Sequence, residues 1–139
     1  MSLHDNEPQA WALTDVALVV KKSDLDPDSV TRILGLDPSG TCQPGVNRWN
    51  PGGETDGEWR FQIDERTSRV FSEQLDIILT VAEGKREEIS SLAVAGCDVH
   101  LAVYGYAGHG STLALSDGEL GRLSALNIPL EITPNINER

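Results

Sequence analysis

From Ala12 to Lys22 the chain is dense in apolar and β-branched residues, with Val16, Leu18 and Val20 on one side of an extended backbone and Ala17 and Val19 on the other. That pattern predicts a central strand. Helix-start chemistry follows: Asp26 can accept from free amides and Pro27 suits a first helical position, so a short helix is expected with Val30, Ile33 and Leu34 inward and Gly35 as its left-handed stop. Between Asp37 and Gly57 the prolines, glycines, Asn47 and Asn50 predict irregular chain with at most a short edge strand. Trp59, Phe61 and Ile63 alternate with Arg60, Gln62 and Asp64, a strand with one buried and one wet face.

The second half switches period. Leu75, Ile78, Leu79 and Ala82 recur at helical spacing from Ser72, and Gly84 should interrupt that helix. A second helical piece is expected to turn Ile89, Leu92 and Ala93 inward and close at Gly96, ahead of a strand through Val99, Leu101 and Val103. Gly105, Gly108 and Gly110 predict a turn leading to a short pairing strand at Leu113 and Leu115. Ser116 and Glu119 have capping-box spacing, so a helix should carry Leu120, Leu123 and Leu126 to the core and stop at Asn127. Ile128, Leu130 and Ile132 then predict a final strand, with Pro129 favouring an edge and Pro134 onward a tail.

These elements add up to an α+β class: a single mixed or mainly antiparallel sheet with helices packed on one face, in one domain over 12–133 between a leader (1–11) and a tail (134–139). A length of 139 residues with 39% hydrophobic and 24% charged residues suits one core and not two. Met1 to Pro8 lacks the basic and apolar regions of a secretory signal, and no apolar run is long enough for a membrane span, so a soluble, cytoplasmic protein is expected. Cys42 and Cys97 are far apart and outside any CxxC pair, which predicts two buried, reduced thiols. A net charge of −11 opposes approach to nucleic acid and suits a basic protein partner.

The order of strand, short helix ending in ILGLDP, Trp-containing strand, long helix, VHLAVYGY strand and LSDGELGRLSALNIPLEI resembles the bacterial family catalogued as domain of unknown function 4279. VTRILGLDPSGTCQPG and the closing leucine-rich segment carry the resemblance, which covers about Leu13 to Ile132. It implies the architecture and no catalytic residue.

Candidate chemistry reduces to structure in each case. His100 and His109, even with Asp98 or Asp117, lack a ligand spacing, so no metal and no cofactor is expected. GYAGHGS lacks the Gly-Lys-Ser/Thr ending of a phosphate loop, no nucleophile elbow surrounds Ser111, and Asp24, Asp26 and Asp28 read as capping and solvated charge. What remains is a surface. If the helices cover one side of the sheet, the other carries Lys21, Arg60, Gln62, Asp64, His100, Tyr104, Glu131 and Thr133, interrupted by Val19 and Ala102. Arg48 and Trp49, on the long loop, are placed to border it. Arg60, Gln62, His100, Tyr104, Arg48 and Trp49 are therefore the candidate binding residues, with no catalytic residue among them.

The expected function is a non-enzymatic protein-interaction module, immunity-like or inhibitory toward a basic partner, or engaged in a homodimer. The alternative is a small-molecule binding domain, or a weakly signposted enzyme, using the same face.

Overall fold

A computed structural model of the chain describes residues 10–47, 50–108 and 110–135. The strand β1 (Ala12–Lys22) is flanked on both sides, by β5 (Gly57–Ile63) and β6 (Asp98–Tyr106), both antiparallel to it. A chain apolar on both faces belongs in the middle of a sheet, and Val16 to Val20 are all buried. The short β2 (Gly40–Cys42) and β7 (Leu130–Asn135) form the two edges, giving the order β2-β5-β1-β6-β7. β7 runs parallel to β6, so the sheet is mixed. A separate two-stranded sheet pairs β3 (Gly45–Asn47) with β4 (Asn50–Thr55).

Four helices among the described residues close one face of the large sheet: α1 (Pro27–Leu34), α2 (Phe71–Gly84), α3 (Arg86–Val94) and α4 (Asp117–Leu126). All four contribute to one apolar cluster with Val16, Leu18, Val20, Trp59, Leu101 and Val103. Trp59 is fully buried there and donates its Nε1–H to Thr31 Oγ1 at 3.0 Å, so the indole is both packed and satisfied. Gln74, also fully buried, donates Nε2–H to the carbonyls of Thr14 and Ser68, both at 2.8 Å, and accepts from Thr14 Oγ1 at 2.7 Å. It ties the start of α2 to the start of β1. Arg122 holds α4 on α2: its guanidinium reaches Glu83 at 2.8 and 3.0 Å, Asp76 at 2.7 Å and Thr80 at 3.2 Å. Hydrogen bonding from Arg122 keeps the Glu83 carboxyl below its ordinary pKa.

The caps fall where the residues demand them. Asp26 accepts from Asp28 N at 3.2 Å, Ser116 and Glu119 complete a capping box, and Gly35 and Asn127 end their helices in the left-handed region. α2 ends at Gly84 and α3 restarts at Arg86, as the glycine predicts.

Several expectations are corrected. In α1 the buried stripe is Pro27, Val30 and Leu34, which leaves Ile33 on its flank and 43% exposed. Ala93 is exposed on α3. On α4 each three-residue step drifts about 60° around the helix, so Leu123 and Leu126 reach the core while Leu120 stays 53% exposed. Between residues 37 and 57 the described residues hold three short strands, β2, β3 and β4, where the composition predicts at most one. Gly105 lies inside β6 and not in a turn; the position needs a glycine there, since a side chain would meet Thr14 Cγ2 at 2.9 Å. Leu113 and Leu115 pack against the core without forming a strand; only Thr112 makes an isolated bridge, to Ala10. β7 continues through Pro134 to Asn135, which an edge strand permits. Cys42 is exposed on the edge strand β2, Cys97 is half-buried with its thiol pKa raised by burial, and both are free.

Candidate functional site

Period-two alternation sends every second residue of β1, β5, β6 and β7 to the face that the helices leave uncovered. The register defines its rows. Val19 is opposite Arg60 on one side and His100 on the other; Ala17 is opposite Gln62 and Ala102, and Ala102 is opposite Glu131; Asp15 is opposite Tyr104, and Tyr104 is opposite Thr133. Lys21 lies between Glu58 and Asp98. Arg60, Gln62, His100 and Tyr104 therefore share one face of the sheet. Arg48 and Trp49 lie outside the described residues, as does His109.

The centre of this face is closed. Ala17, Val19 and Ala102 are buried in a second, smaller apolar cluster against Tyr104, and no helix residue joins it among the described residues. Arg60 and Tyr104 stand four residues apart along β1, about 13 Å, and lean toward each other across the two alanines. The Arg60 guanidinium carbon lies 5.3 Å from the Tyr104 ring centroid, within reach of a cation–π contact, and Nη2 donates to Tyr104 Oη at 3.5 Å, the long limit of a hydrogen bond. Alanines make this possible, since any larger side chain at position 17 or 102 would stand where these two meet.

His100 is 6% exposed and bridges two strands. Its Nδ1 is 3.2 Å from Asp98 Oδ1 and its Nε2 is 2.5 Å from Glu131 Oε2. Each ring nitrogen thus faces one carboxylate. The contact to Glu131 fastens the edge strand β7 onto β6. Gln62 is placed by its backbone, which donates to Ser39 Oγ at 2.9 Å.

The residue that sequence reasoning passed over is Asp15. Leu13 has a φ of 51°, and the pairing of Ala12 with Tyr106 and of Asp15 with Tyr104 spans one extra residue on β1, which marks a β-bulge. The bulge aims Thr14 at Gln74 and Asp15 at the opposite face. Asp15 is half-buried, and loss of solvent there raises its pKa; the positive charge of Arg60 acts the other way, and Asp64 adds to the rise. Its Oδ1 is buried without a hydrogen-bond partner among the described residues, and so is Arg60 Nε. The signal was present in the alternation 15, 17, 19, 21, but the bulge hid where the strand's regular pleat begins. Asp64, just past β5, is held by Arg66 at 2.7 Å, and that hydrogen bonding keeps its pKa low.

Chemically the face offers hydrogen bonding and charge. Among the described residues no group of three His, Cys, Asp or Glu side chains is arranged to hold a metal ion, and no helix is long and apolar enough to cross a membrane. In comparisons with known proteins, a family model described as "Domain of unknown function (DUF4279)" matches residues 12–137. No curated protein and no solved structure matches the chain.

Proposed function

The chain belongs to the DUF4279 family, and we propose that it is a non-catalytic binding module whose helix-free sheet face engages a basic surface on a partner protein. The observation that carries this reading is the charge of that face. Asp15, Glu58, Asp64, Asp98 and Glu131 set five carboxylates against Lys21, Arg60 and the Arg66 that pairs with Asp64, with His100 held between two of them. The remaining surface adds to the same field, since the whole chain carries −11. Such a field speeds encounter with a cationic protein and rejects an anionic one. Arg60 and Tyr104, at the centre, are residue types that concentrate binding energy in interfaces.

An immunity-like or inhibitory role follows from this chemistry, because an acidic face that covers a basic partner masks whatever that partner does with its positive charge. The reading places the protein in the cytoplasm, where its two free thiols stay reduced. Affinity isolation of the tagged chain from its native cells tests it. The expected result is a stoichiometric basic partner whose recovery falls steeply between about 0.05 and about 0.5 M salt. Isolation of the folded chain with no stoichiometric partner, or with one whose recovery is indifferent to salt, would overturn it.

A further inference from the structure

Leu101 N–H donates to Pro129 O at 3.0 Å and Ala107 N–H to Asn135 O at 3.2 Å, so the odd-numbered residues of this segment turn their backbone groups toward β6. Alternation turns those of Leu130, Ile132 and Pro134 the other way, and among the described residues no strand pairs with that outer edge. The side chains divide by the same period. Leu130 and Ile132 lie opposite Leu101 and Val103 on the helix side, whereas Glu131 lies opposite Ala102 on the helix-free side. On the helix side α4 and β7 leave an open groove of about 450 Å³, lined by Leu120, Leu123, Ile128, Pro129 and Leu130. Leu120 and Ile132 are the exposed large apolar side chains of these two elements.

The charges beside that groove have one sign. α4 and β7 carry Asp117, Glu119 and Glu131 against a single cation, Arg122, which Glu83 and Asp76 of α2 already hold. Resting on the binding reading above, we infer that the outer edge of β7 takes up a strand from the partner protein, an extended segment in which apolar and basic residues alternate. Its backbone pairs with Leu130 and Ile132, its apolar side chains enter the groove beside Leu120, and its Lys or Arg side chains lie on the helix-free side near Glu131. Period two makes the match, since an edge with an apolar groove on one side and a carboxylate on the other accepts that alternation and no other. A second copy of this chain fits less well: its β7 brings another Glu131, and the whole of it carries −11. Pro134 offers a carbonyl and no N–H to the outside, so it ends the pairing and keeps the added strand short.

Amide hydrogen exchange read by NMR on the isolated chain tests this, with a synthetic peptide of alternating valine and lysine as the probe. Two controls share its length: alternating valine and glutamate, and a block of valines followed by a block of lysines. The alternating valine–lysine peptide should slow exchange of the Leu130 and Ile132 amides about tenfold or more, and leave unchanged those of Glu131 and Thr133, which face β6. Ile132→Pro removes an outward N–H while keeping the bonds to β6, and should weaken peptide binding about tenfold, read at Leu130. Leu120→Gln, on an exposed helix flank, should weaken it severalfold. Leu130 and Ile132 amides that the valine–lysine peptide leaves unprotected, or that either control protects as well, overturn the inference. Protection that grows with the concentration of the chain alone gives the edge to a second copy and overturns it too. The titration uses no native partner, so its failure leaves the isolation of a basic partner standing, while failure to isolate a partner leaves the titration result intact.

Discussion

The two faces of the same sheet are built on opposite terms. Toward the helices, Trp59, Leu18, Leu75, Leu79 and Leu101 are fully buried, and the polar groups among them, Gln74, Thr14 and the Trp59 indole, are hydrogen-bonded. Away from the helices the buried apolar cluster among the described residues is Ala17, Val19 and Ala102, ringed by charges, and Asp15 Oδ1 and Arg60 Nε have no hydrogen-bond partner among those residues. Stability therefore resides on one face, and the other is left free to carry features that folding alone does not favour.

The largest test of that contrast is Trp59→Ala. Removing the indole from the helix side should cost about 3–5 kcal/mol, a large share of the stability of a domain this size, read as a lower urea midpoint. Next comes Gln74→Ala, which strands the Thr14 hydroxyl and two carbonyls and should cost about 2 kcal/mol in the same measurement. Arg122→Ala should cost about 1 kcal/mol, since the clamp between α4 and α2 is partly exposed and screened. This clamp also has a pH signature. Glu83 has a lowered pKa when folded, so its contribution is present above its unfolded value of 4.5 and is lost as pH falls through the folded value. Arg122→Ala should flatten that acid-side loss in a pH series of denaturation midpoints.

The smallest effect is expected on the helix-free face, and with the opposite sign. Asp15 has a raised pKa when folded, so the native state holds its proton more firmly than the unfolded chain. A stability cost therefore sets in as pH rises above 3.8 through the raised value and is complete beyond it. Asp15→Asn should stabilise the protein at neutral pH by less than about 1 kcal/mol after solvent screening, and the gain should vanish in acid. A loss of stability at neutral pH would mean that Asp15 serves the fold.

How much of this was legible in the sequence depended on locality. β1, β5 and the capped ends of α1 and α4 rest on alternation and on side chains that act within three or four residues, and they lie where the pattern placed them. Ile33, Ala93 and Leu120 did not, because short helices present a narrow stripe whose angle is set by packing and not by composition. The shared face of Arg60, Gln62, His100 and Tyr104 followed from alternation alone. Asp15 shares that alternation, but the bulge at Leu13, packed against Gly105 92 positions along the chain in the partner strand, hid that the regular pleat reaches it. The closing of the face by Arg60 and Tyr104 likewise required the pairing of Ala17 with Ala102, which no single strand reveals.

The division between the faces is tested most directly by charge reversal. Asp64→Lys with Glu131→Lys alters the helix-free face, and Glu87→Lys with Glu88→Lys alters α3 by the same net charge. Both variants are compared with the native chain for partner recovery at equal thermal stability. The account predicts that the first loses the partner and the second keeps most of it. Equal loss in both variants would reduce the effect to net charge, and retention in the first would contradict the claim that the helix-free face is where this domain binds.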